Sequence, residues 1–125
     1  MDNLVVRKST IKGAGKGVFT TIDVKKGDTI EVCETMIFSQ KEGQILIQST
    51  KLGNYLYAHE DGKRMILALG KGSLYNHRSP SNAEYFFDAR KSQMHIVAAD
   101  DIAKGTEVFI NYGGSQKAEY EINFY

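Results

Sequence analysis

One cysteine, one proline and no tryptophan stand among the 125 residues. The lone Cys33 excludes an internal disulfide framework and any zinc site built on several thiolates. It lies in an apolar-rich run, which points to buried packing and a reducing compartment, with a reactive thiol as the lesser reading. No apolar stretch approaches the length that spans a bilayer. The N-terminal MDNLVVRKST also lacks the basic-then-apolar layout of a secretion signal. The expectation is a soluble intracellular protein, in the cytoplasm or a host nucleus, with no membrane partner. Charge excess is missing too: 16 basic residues face 15 acidic ones, for a net +1. A global footprint for nucleic acid is therefore absent and no direct nucleic-acid binding is expected, although balance over the whole chain hides asymmetry between faces.

What the chain does have is glycine, 12 residues of it, and a normal share of apolar residues at 42%. At this length that fits one domain over 1–125 with many turns and many short strands. Leu4 to Val6 reads as a strand, and so does Thr29 to Phe38, rich in Ile, Val and Thr. Arg64 to Leu69 and Glu107 to Tyr112 are further strands, and Tyr85 to Asp88 with Met94 to Ala98 form a hairpin. Ile45 to Ile47 fits either a strand or a short helix by pattern. One echo recurs: DVKKGDTI from Asp23 matches DIAKGTEV from Asp101, each a polar turn at glycine leading into a strand. It is either a chance pair of turns or the mark of a pseudo-symmetric β fold.

Three segments carry candidate chemistry. The glycine-dense KGAGKGVF, Lys12 to Phe19, lets backbone approach a ligand closely, but lacks the spacing of a dinucleotide or phosphate loop and by itself is a tight turn. LGKGSLYNHRSPSNAEY, Leu69 to Tyr85, places Asn76 and His77 where they could hold polar ligand atoms. GTEVFINYGG, Gly105 to Gly114, ends an apolar strand in a tyrosine whose hydroxyl could reach a cleft or cap a core ring. His59, His77 and His95 have no metal-ligand spacing, so no metal is expected.

In this order and spacing the three segments resemble the SET domain, through Gly15-Lys16-Gly17-Val18-Phe19, Asn76-His77 with Pro80 and Asn82, and Glu107 to Gly113. The resemblance is to the minimal stand-alone members of viruses and bacteria. Arg78 stands where that family usually has Ser, and Pro80 is displaced by one position. The resemblance implies a mainly β, β-clip-like fold of short antiparallel sheets with a threaded C-terminal segment, a pseudoknot. It implies a protein-lysine methyltransferase using S-adenosylmethionine. Gly15, Lys16, Gly17, Asn76, His77 and Tyr112 would bind the cofactor, with Tyr112 as the catalytic residue. Tyr55, Tyr57, Tyr85, Ile110, Tyr120 and Phe124 are the candidates for the substrate channel, completed by docking of residues 115–125. The partner is then a protein or peptide with a lysine, such as a histone tail, and a homodimer is one way to complete the groove.

The chemistry suits these residue types. Methyl transfer moves positive charge from a sulfonium to an amine and forms no oxyanion, so alignment matters more than a metal or an acid/base dyad. The alternative is a non-catalytic SET-like module that binds a peptide or small molecule. A β module that stacks nucleic-acid bases on its aromatics is the more distant rival.

Overall fold

The computed structural model describes residues 2–111. Tyr112, Tyr120, Phe124 and the 115–125 tail, all named above, lie outside the described residues, as does the C-terminal part of the expected threading.

Strands dominate. They are β1 (Leu4–Lys8), β2 (Lys16–Thr20), β3 (Thr29–Phe38), β4 (Tyr57–Ala58), β5 (Met65–Ala68), β6 (Asn76–His77), β7 (Ala83–Asp88), β8 (Gln93–Ala98) and β9 (Glu107–Ile110), with one helix, α1 (Gln40–Ser49). A 310 turn, Lys51–Tyr55, follows the helix. The strands form two sheets, ordered β1-β2-β9-β6 and β4-β5-β3-β8-β7. Among the described residues all strand pairs are antiparallel except β6 with β9, where Asn76 lies opposite Phe109 and His77 opposite Ile110. That parallel pair lays the second motif alongside the third.

The long strand β3 organises the larger sheet. Its first half pairs with β8, ending at Glu34 opposite Gln93; its second half pairs with β5, beginning at Thr35 opposite Ala68. A register shift between Thr29 and Glu31 starts the strand. The core lies between the sheets: Val18, Val108 and Ile110 from the smaller one meet Ile66, Met94, Ile96 and Tyr85 from the larger. Each such side chain contributes roughly 1.5–3 kcal/mol on burial. Cys33 is in this core at 2% exposure. Burial, with the nearby Glu31 carboxylate, pushes its thiol up to about 12, so it is inert packing.

The segment that pattern left open is helical. Ser39 caps α1 by accepting from the Glu42 N–H at 3.1 Å, while the Glu42 carboxylate accepts from the Ser39 N–H at 2.9 Å. This reciprocal box satisfies two orphan donors of the first turn. Gly43 lets the helix lie close on β5, since a Cβ there would stand 2.6 Å from Met65 Cγ. No helix among the described residues is long and apolar enough to cross a membrane.

The two echoing turns pack against each other. Val24 and Ile102 form an antiparallel bridge, each N–H donating to the other's carbonyl at 2.8 Å. The Asp23 carboxylate accepts from the Lys104 N–H at 2.8 Å, and Asp101 accepts from the Lys26 N–H at 2.9 Å. Gly27 and Gly105 both turn the chain at positive φ, 91° and 86°, where a side chain would be strained. The repeat is thus a local two-fold clasp that precedes β3 in one copy and β9 in the other.

Candidate functional site

The site grows from one buried carboxylate. Glu107 opens β9, and its neighbour in register, Phe19, places it against β2. Its side chain is 2% exposed. It accepts from Ser9 Oγ, from the Thr10 N–H at 2.7 Å, from Thr10 Oγ1 at 2.6 Å and from Asn76 Nδ2 at 3.0 Å. Burial alone would raise its carboxyl. The hydrogen bonds from Asn76, Thr10 and Ser9 outweigh that and hold it below the usual carboxylate range. It therefore stays ionised and ties the β1–β2 turn to β6.

Gly17 is explained by the same group. A Cβ built there would stand 2.1 Å from Glu107 Oε2 and 3.0 Å from Asn76 Nδ2. The glycine is required by the close passage of a carboxylate, beside whatever a ligand needs. Asn76 is pinned in turn: its Nδ2 donates to the Lys16 carbonyl at 2.9 Å and to Glu107. With both amide hydrogens engaged, Oδ1 has no partner among the described residues and is left as an acceptor. Asn76 lines a cleft of about 250 Å³ with Ala14, Gly15, Lys16, Tyr55, Ser73 and Leu74.

Asn82 braces the other side of β9. It donates from Nδ2 to the Glu107 carbonyl at 2.9 Å and accepts from the Phe109 N–H at 2.7 Å. Arg78, the departure from the family pattern, continues the β6–β9 pairing through its N–H to the Ile110 carbonyl. It also lays its guanidinium 4.1 Å from the centre of the Phe109 ring. The turn before β6 is held by Glu31, which accepts from the Tyr75 hydroxyl at 2.6 Å and from the Lys71 N–H at 3.0 Å.

The sequence-derived site residues are thus distributed as follows. Gly15, Lys16, Gly17 and Asn76 converge, and His77 follows Asn76 on β6 with its side chain exposed. Tyr55, expected in the channel, lines the same cleft as Lys16 and Asn76 and is 43% exposed. Tyr57 and Tyr85 are core rings with centroids 4.7 Å apart, and the Tyr57 hydroxyl donates to the Gly72 carbonyl at 2.7 Å. Ile110 is fully buried beneath the parallel pair. Sequence reasoning quoted Glu107 only as a motif letter and passed over Ser9 and Thr10. The available signal was an acid leading an otherwise apolar strand, Glu107-Val108-Phe109-Ile110, every residue of which is buried.

Residues 15–113 match the SET-domain family profile. The chain belongs to the SET-domain family. A histone-lysine N-methyltransferase of Schizosaccharomyces pombe, specific for lysine 37 of histone H3, is 32% identical over 99 residues, 79% of this chain and 67% of that protein. The crystal structure of a Plasmodium falciparum protein assigned as a histone methyltransferase superposes with a TM-score of 0.69 at 31% identity, covering 90% of this chain and 98% of that one. The polycomb repressive complex 2 of Chaetomium thermophilum, solved with S-adenosylmethionine bound, matches with a TM-score of 0.73 over 98% of this chain and 16% of its own; at 20% identity it speaks for the fold alone.

Proposed function

We propose that this SET-domain protein is a protein-lysine methyltransferase that uses S-adenosylmethionine and acts on a lysine in a protein or peptide, of which histone tails are the first candidates. The observation that carries the reading is the fixed amide of Asn76. The Lys16 carbonyl and the Glu107 carboxylate consume its two hydrogens, so it offers an acceptor at a cleft walled by the glycine turn. That donor set fits the amino-acid end of the cofactor, whose ammonium needs acceptors and whose carboxylate suits the exposed Lys16 side chain. Tyr55 supplies an apolar, half-open wall to the same cleft.

When bound, the cofactor supplies a methyl group on a cationic sulfonium, ready for in-line attack by an amine. The chain's own part is orientation. Glu107 and Asn82 hold β9 in place beside β6, and with it the start of the third motif. We assign the catalytic position to Tyr112, the second residue after β9, which would order the amine and the departing proton's surroundings by hydrogen bonding. No general base is needed if an apolar channel favours the neutral amine. Ile110, two residues earlier, is apolar where a tyrosine hydroxyl would restrain the product amine, which favours di- or trimethylation.

Calorimetric titration with S-adenosylmethionine tests the reading directly. The parent should bind saturably and Asn76→Ala at least tenfold more weakly, and mass spectrometry of histone H3 peptides should then find added methyl groups. A folded parent that binds no cofactor, alone or with peptide, returns the chain to the non-catalytic module. Monomethyl product alone under excess cofactor would overturn the assignment to Ile110.

A further inference from the structure

We propose that the β1–β2 hairpin is a docking surface for the phosphate backbone of duplex DNA, formed by Lys8, Lys12 and Lys16. The near-neutral total conceals a strong partition. Residues 3–22 hold Arg7, Lys8, Lys12 and Lys16 and no acidic residue, leaving 12 basic against 15 acidic residues elsewhere, a net −3. The hairpin segment thus carries four positive charges with no acid of its own, against a slight acidic excess in the rest of the sequence.

Its geometry sharpens the point. Lys8 and Lys16 are direct cross-strand partners, so their side chains leave the same face of the ribbon side by side. Like charges placed opposite each other in a sheet are destabilising. No described residue relieves them: Lys8, Lys12 and Lys16 are exposed and make no ion pair among the described residues. Two described acids touch this hairpin and both are committed: Glu107 is buried and held by Ser9, Thr10 and Asn76, and Asp2, which accepts from the Leu4 N–H, pairs with Lys71. The two lysines flank a shallow concavity of about 540 Å³, lined also by Ile11, Gly13 and Gly15. Over both glycines there is open space, since a Cβ on either would meet nothing within 4 Å. Among the described residues of that lining Ile11 is the one apolar side chain and there is no aromatic ring, so the surface suits a row of phosphates better than a peptide or a membrane. Lysines act there as point charges. The choice of DNA among polyanions rests on the histone reading above, because histone tails emerge beside duplex DNA. The concavity shares Gly15 and Lys16 with the cofactor cleft, which would place bound DNA at the rim of the active site.

The test separates this from methylation itself. Fluorescence anisotropy with a labelled 30-base-pair duplex, without cofactor, is run across a salt series for three proteins. These are the parent, K8Q/K12Q, and K51Q/K63Q, which removes the same charge at exposed positions elsewhere. The parent should bind at low salt. K8Q/K12Q should bind at least tenfold more weakly, with a log-log salt slope shallower by about 2, near 0.9 per lost phosphate contact. K51Q/K63Q should match the parent. Methylation of free peptide should be equal in all three; a parent that methylates no peptide would speak against the enzymatic assignment and leave the docking surface to the anisotropy result. Three results overturn the proposal: no salt-sensitive binding by the parent, equal slopes for the two double variants, or tighter binding to anionic lipid vesicles than to DNA.

Discussion

A buried carboxylate that accepts from two hydroxyls, a backbone N–H and a carboxamide is an expensive choice for a core, and Glu107 repays the cost only while every donor is in place. Its pKa is depressed in the folded protein, so its contribution is fully present above the unfolded value and is lost as pH falls through the lower folded value. Glu107→Gln should cost about 3 kcal/mol in urea denaturation at pH 7, and the gap to the parent should narrow below about pH 4.5. A gap that is constant from pH 7 to pH 3 would show that the charge is not what matters. Gly17→Ala tests the same contact from the other side. A Cβ at 2.1 Å from Oε2 cannot be accommodated by a carboxylate whose oxygens are all engaged, so the substitution should cost on the order of 2 kcal/mol or more. The cost should shrink when Glu107 is itself truncated to Ala. Equal costs in the two backgrounds would mean that the two residues do not touch. This network was half legible beforehand. The motif letters placed Gly17, Asn76 and Glu107 on the list, but the contact that makes Gly17 a glycine depends on β2 and β9 being neighbours, a pairing of residues about 90 positions apart that no local pattern encodes.

Elements were read more securely where alternation was long. Thr29 to Phe38 and the hairpin of β7 and β8 alternate in burial along most of their length, and their sequence limits agree with the structure to within two residues. The helix was the failure of pattern. Ile45 and Ile47 are each 53% exposed, so α1 has almost no apolar stripe to betray a 3.6-residue period. Its signature is at the end instead, in Ser39-Gln40-Lys41-Glu42, a capping box readable from sequence. The echoing turns show the opposite case, a sequence signal whose structural meaning exceeds a pair of similar bends. Because Asp23 serves the turn of the second copy and Asp101 that of the first, Asp23→Ala and Asp101→Ala should each cost about 1 kcal/mol. Their combined effect should fall short of the sum, since both losses loosen the one bridge between Val24 and Ile102. Strict additivity in urea denaturation would mean that the turns are independent.

At the scale of the whole molecule, three segments spread over a hundred residues are gathered around β9, which pairs antiparallel with β2 and parallel with β6. What the sequence could not reveal is which sides of those segments face one another, and hence that Tyr55 shares a cleft with Asn76 while Tyr57 and Tyr85 pack in the core. Three groups inside the framework have their ionisation displaced by their surroundings. Cys33 ionises only near 12. Tyr75, buried and hydrogen-bonded to Glu31, is pushed above the ordinary tyrosine range, and Glu107 titrates below the ordinary carboxylate range. Between pH 7 and 9 none of these three changes charge, so the rate in that window should report the substrate. A free lysine amine, with a pKa near about 10.4, is almost wholly protonated at pH 7. If it loses its proton to solvent before or on entering an apolar channel, the rate at subsaturating peptide should climb by up to roughly tenfold per pH unit towards pH 9. The folded fraction, followed by circular dichroism, should stay constant across the same window. A flat rate profile with the protein intact would require a base within the site that takes the proton, and would move the search to the residues that surround Tyr112.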